Sequence, residues 1–190
     1  MTTEAEALRR AWGRVVRWLE RNAPKNAATL QTPTTPERIA DAEARLKVAF
    51  PEEVRTWLLT NGGVEMEDTG HDWKSPGPDS SFIPNGWHLL SLDDMVRVHE
   101  RRLDLHQSSG IPDDGEDAVL AWRREWLPFV VERDELYGRF VDTRTGMVGR
   151  WSDGDVNRFG MHDSLAEYFQ VLADTMETRA HLVDGRIEWR

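Results

Sequence analysis

TPERIADAEARLKVAFPEEVRTWLLTNGG, Thr35 to Gly63, is the one stretch of this chain in which start signal, apolar period and stop signal agree. Thr35 offers a side-chain oxygen to the first free amides of a helix. Pro36 suits the first helical position because no amide partner is lost there, and Glu37 favours the positive end of the helix dipole. Ile39, Ala42 and Leu46 then share one face while Asp41, Arg45 and Lys47 fall elsewhere, which predicts an amphipathic helix with one side to bury. Pro51 disfavours helix at Phe50 and ends that helix. A second begins with Glu52 and Glu53 in its first turn and buries Val54, Trp57 and Leu58. Asn61, Gly62 and Gly63 tolerate left-handed backbone, so the chain leaves the helix there, with at least one of the two glycines expected at positive φ.

Upstream, Leu8, Ala11, Trp12, Val15 and Leu19 repeat at helical spacing between Glu4 and Arg21. The other face carries Arg9, Arg10, Arg14, Arg17 and Arg21, either as a solvated side or as a basic docking ridge. Asn22, Ala23 and Pro24 end this helix, and a Thr-rich linker leads to Pro36. Downstream of Gly63 a polar stretch runs to Gly86, interrupted by aromatics. Phe82 and Trp73 either fold back over the sheet or stand at a binding rim. Trp87 to Leu92 reads as a short buried strand, and Ser91 with Asp93 and Asp94 opens a helix through Met95, Val96, His99 and Leu103 that closes near Ser109. Trp126 to Val131, Tyr137 to Val141 and Met147 to Trp151 form a β-meander turned at Thr143–Gly146, with Pro128 expected at a strand start or edge. Asp163 caps a last helix that buries Leu165, Phe169, Leu172 and Met176. The tail, 183–190, either adds an edge strand through its Asp-Gly turn or is loosely ordered. The expectation is one α+β domain over 1–190: a mainly antiparallel sheet, amino-terminal helices and a closing carboxy-terminal helix.

Composition narrows the function. With 190 residues, 39% of them apolar and nine Trp, the chain can bury a single core. No apolar run is long enough to cross a bilayer and the amino terminus, MTTEAEALRRAW, is charged, so a cytoplasmic protein without membrane partners is expected. Cysteine is absent, which removes disulfides and thiolate chemistry together. A net charge of −10 argues against nucleic acid as partner and favours a cationic one. The six histidines are scattered. His99 and His106 lie two helical turns apart, one expected partly buried and the other solvated, and neither Asp113–Asp117 nor Asp153–Asp155 has the ligand pattern of a calcium loop. No serine-nucleophile or phosphate-cradling motif occurs, so no catalytic residue, metal site or cofactor is assigned.

Ile39, Glu43, Leu46, Phe50-Pro51-Glu52, Val54, Trp57-Leu58 and Asn61-Gly62-Gly63 together resemble the opening motif of the SUKH superfamily, the Smi/Knr-type proteins. Trp122, Trp126 to Phe129, Gly138, Phe140 to Asp142 and Gly146 are similar to that family's central sheet, and Asp163-Ser164-Leu165 with Phe169 to its closing helix. The match is weak after Trp151, and the segment between Gly63 and Trp87 is long. The resemblance implies a non-enzymatic protein-binding module: a bacterial immunity protein that neutralises a toxin, or a regulatory scaffold for cell-wall assembly or signalling proteins. A carboxylate-dependent hydrolase is the remaining reading, and no required spacing supports it.

Acid concentrates in three stretches, which we take as the candidate partner-binding residues: Glu65, Glu67 and Asp68 with the nearby Trp73; Asp113, Asp114, Glu116 and Asp117; and Asp153 with Asp155. Were two or more of these loops to meet at one end of the sheet, their summed field would steer a basic partner such as a toxin domain. The sequence does not set the oligomeric state.

Overall fold

A computed structural model of the chain describes residues 3–65, 79–112, 114 and 119–190; the candidate residues Glu67, Asp68, Trp73, Asp113, Glu116 and Asp117 lie outside them. Helix α1 (Glu4–Asn22) opens on a reciprocal cap in which the Glu6 amide donates to the Thr3 hydroxyl and the Thr3 amide to the Glu6 carboxylate, and it buries the five residues of its apolar stripe. The expected linker after it holds one more helical piece, α2 (Pro24–Ala28), with Pro24 in the first turn. Helix α3 (Pro36–Leu46) starts on the Thr35 cap and stops before Phe50 is reached, because Lys47 takes the left-handed conformation at φ 56°. Helix α4 (Glu52–Leu58) follows directly after Pro51. Of the two glycines beyond it, Gly63 carries the positive φ, 82°. Gly62 is required for a different reason: a Cβ there would overlap the Thr32 carbonyl.

The sheet is antiparallel with its five strands in chain order: β1 (His88–Leu89), β2 (Trp126–Val131), β3 (Tyr137–Asp142), β4 (Val148–Ser152) and β5 (Arg158–His162). Helix α5 (Leu92–Ser109) enters between β1 and β2, capped by Ser91 and ended by Gly110 at φ 71°. Pro128 is not at a strand start, and it meets a free edge only locally. It lies inside β2 beside a bulge and beyond the reach of the short β1, whose pairs are with Val130 and Val131, so its missing amide breaks no ladder. Strand β5 was not expected. Its residues are mostly exposed and it interrupts itself with Gly160, so alternation is weak there.

Pairing in the meander sets large residues against small ones. Gly138 faces Trp151 and Phe140 faces Gly149, and a Cβ on either glycine would collide with the opposing ring. On this face Trp126 stacks on Phe140 at 4.2 Å, and Trp122 meets Trp126, Phe140 and Trp151 edge-on. His99 of α5 is fully buried against it and bonds the Trp126 carbonyl oxygen through Nδ1 at 2.8 Å. The other face is covered by α6 (Leu165–Arg179), along which α1 packs. There Trp12, Trp57 and Phe169 form one cluster, Trp57 stacked on Phe169 at 4.2 Å, and Phe129 of β2 reaches it from the sheet. Arg14, from the basic side of α1, spans to Asp174 and Glu177 of α6, which assigns it to packing.

Ser164, not Asp163, is the cap of α6, and its first two amides, Leu165 and Ala166, donate to the Glu53 carboxylate of α4 at 3.0 and 2.7 Å. Residues 183–190 do not extend the main sheet. They pair instead with the end of α6's run-out, β6 (Ala180–Val183) with β7 (Arg186–Trp189), around Asp184 and Gly185, both at positive φ. No helix among the described residues is long and apolar enough to cross a membrane.

Candidate partner-binding groove

The turn between β4 and β5 carries Asp153 and Asp155 on either side of Gly154, whose φ of 77° makes the hairpin tight. Asn157, buried just beyond, fastens that turn to a distant segment. Its amide nitrogen donates to the Val119 carbonyl at 2.9 Å, its Nδ2 to the Ala121 carbonyl at 3.2 Å, and its Oδ1 accepts from Ser152 N at 3.3 Å. One buried side chain therefore holds the chain that follows the second acidic stretch against the hairpin that carries the third.

Between them lies a groove of about 130 Å³ lined by Leu105, Ile111, Leu120, Trp151, Asp153 and Asp155, with Arg102 and Asn157 at its floor. Past His106, Ile111 and Trp122, which line both, it continues into a wider hollow of about 580 Å³ bounded by Arg123, Arg124 and Glu125. Asp114 is exposed on the segment whose two ends, Ile111 and Leu120, form the groove wall. Leu105, Val119, Leu120 and Val156 remain exposed around it, so the rim mixes apolar side chains with carboxylates, the composition of a protein-contact surface.

The electrostatics beneath the groove are compensated. Arg102, only 11% exposed in its side chain, lies over the Trp151 ring, donates to the Glu135 carbonyl and reaches Asp153 at 3.6 Å. Burial pulls its basicity down while Asp153 pushes it back up. Arg97 and Arg101 hold the Glu135 carboxylate from α5 at 2.7 and 2.8 Å. Asp155 spends one oxygen on the Val156 amide and no cation pairs with it among the described ion pairs, so it is the free acid of the hairpin.

Of the three expected acidic stretches, the third, Asp153 and Asp155, lines this groove; of the second, the described Asp114 is exposed and does not line it. Glu65 stands apart, its amide bonded to the Thr29 carbonyl beside β1. The apolar half of the site was not foreseen: Val119 and Leu120 are exposed and stand directly before the buried Ala121 and Trp122. The nearest sequence signal was the change from acidic to apolar residues at Ala118. Among the described residues no three His, Asp or Glu side chains gather as metal ligands, and His99 is wholly buried with its basicity lowered by desolvation.

No match to the chain was found among curated proteins. A family does match, and over the segment that holds α3, α4, α5, the whole meander and the start of α6. From residue 33 to residue 171, well over half of its length, this chain belongs to the SMI1 / KNR4 family (SUKH-1).

Proposed function

We propose that this protein is a non-enzymatic binding module that acts as an immunity protein, seating its acidic groove on a basic surface of a toxin, such as a cleft that takes nucleic acid. The observation that carries this reading is the joining, through Asn157, of the hairpin that bears Asp153 and Asp155 to an exposed apolar rim in one groove, on a chain of net charge −10. Family membership supports a binding role over catalysis, and acid at the rim suits fast, salt-sensitive association with a cation-rich partner. The protein would work in the cytoplasm, where such a toxin must be met.

The test has two steps. Capture from the native host with the full chain as bait should retain a basic toxin domain; retention of cell-wall or signalling proteins instead would assign the scaffold role. Association with the retained partner is then followed for Asp114→Asn combined with Asp155→Asn. Loss of charge should slow association by about tenfold at low salt and by less at moderate salt. An association rate indifferent to both changes would remove the groove from the interface.

A further inference from the structure

Arg139 is the third of the six residues of β3, and alternation turns it to the α6 face of the sheet, opposite Phe140. Its guanidinium lies between two aromatic rings, 5.6 Å from the centre of Trp87 and 5.9 Å from that of Tyr168. A guanidinium has five N–H donors. Among the described residues its one hydrogen-bond partner is the Met161 thioether sulfur at 3.0 Å, a poor acceptor, and no carboxylate pairs with it. Burial depresses its basicity and the cation Arg150 adds to that, while the Tyr168 phenol acts the other way and no carboxylate contributes.

The head of this side chain faces a cavity of about 120 Å³ whose walls come from the 83–87 turn, β5 and α6: Pro84, Trp87, His162, Tyr168, Leu172 and Thr175 among them. His162 has its own basicity lowered by burial and by Arg139, so it adds no second charge at neutral pH. The pocket therefore presents one fixed positive charge, in a plane between flat apolar walls, with unused donors. Ordinary cofactor pockets measure roughly 300–1,000 Å³, so this one is too small for a nucleotide. A phosphate dianion would leave half its charge uncompensated. A planar monoanion matches the fork of donors in both shape and charge.

We propose that this pocket binds a carboxylate that carries a short flat apolar tail, the two oxygens taking Arg139 and the tail lying against Trp87 and Tyr168. It shares no lining residue with the acidic groove, so the proposal stands apart from the immunity reading. Such a carboxylate is either a free small acid or the carboxy terminus of a partner chain.

Titration of the full chain by NMR, following the Trp87 indole N–H, tests this with benzoate, benzamide and N-acetylphenylalanine as probes. Benzoate should shift the Trp87 signal with a Kd at or below about 10 mM, and neutral benzamide should not. Arg139→Met should weaken benzoate by about tenfold or more. N-acetylphenylalanine binding tighter than benzoate assigns the site to a chain terminus, and the reverse assigns it to a free acid. Equal response to benzoate and benzamide, no response to either acid, or full retention in the Met variant would each overturn the proposal. The wild-type comparison of acid and amide needs no variant to fold.

Discussion

Arg102 and Arg139 are both largely buried, both lie over indole rings and sit on opposite faces of one sheet, yet their surroundings differ in the one respect that matters for a buried cation. Arg102 belongs to a matched set, in which Arg97, Arg101 and Arg102 face Asp94, Glu135 and Asp153. Arg139 has aromatic rings and a sulfur for company. A charge removed from water and left unpaired is unfavourable by several kcal/mol, so folding alone would not select it. The first neighbourhood holds the structure together; the second is arranged for something that arrives later.

His88 sharpens the contrast, because it is a third buried base and escapes by another route. Burial lowers its pKa to about 4 against the opposing pull of Ser80, so it is neutral in the folded protein at neutral pH, an option closed to arginine.

The largest expected effect comes from Gly138, which lies between the two arginine sites in sequence and under the ring that Arg102 covers. Gly138→Val would drive the Trp151 indole off the strand and should destabilise by about 3 kcal/mol or more in urea unfolding. A smaller loss would mean that the Arg102 side tolerates disorder. Next is acid. His88 takes a proton more readily when unfolded, so the stability present above about pH 6.5 is lost as pH falls toward 4, by roughly 2 to 3 kcal/mol. His88→Gln should flatten that slope, and an unchanged slope would place the titration elsewhere. Glu135→Gln comes third. It leaves Arg101 without its acid and Arg97 with Asp94 alone, but both are about half exposed, so the fully buried figure is discounted to about 1–2 kcal/mol, with less effect in high salt. The smallest is the most telling: Arg139→Met should leave stability unchanged or raise it by up to about 1 kcal/mol, since it exchanges an unpaired charge for an apolar chain. A clear loss of stability there would make Arg139 a structural residue and erase the distinction.

These contrasts also show what a linear reading can reach. Every helix that buries a periodic stripe was legible: Leu8 to Leu19, Ile39 to Leu46 and Leu165 to Met176 all declare a face. The meander was legible because β2, β3 and β4 are buried, apolar and bounded by turns. Strand β5 was hidden by exposure, and the end of α3 was hidden because a lysine, and not a glycine, takes the left-handed conformation. Of the groove, the acids Asp153 and Asp155 could be read as a pair with Asp114. The residue that ties the hairpin to the 119–121 segment, Asn157, could not, since two of its three hydrogen bonds go to backbone far away in sequence. The Arg139 pocket left no trace in the sequence at all: an arginine alternating in a strand looks the same whether or not an acid faces it.

The Glu53 carboxylate, finally, has a consequence for how this fold drifts over time. It takes the first two amides of α6 from across the molecule, and the atoms it reads at Leu165 and Ala166 belong to the main chain. Any residue other than proline supplies such an amide, so the cap leaves the side chains at those two positions under no obligation to change in step with position 53. The whole restriction falls on one partner. A contact of this kind is invisible to methods that look for paired substitutions, and it would surface only as a single acidic position, two residues after Pro51, that replacements rarely enter.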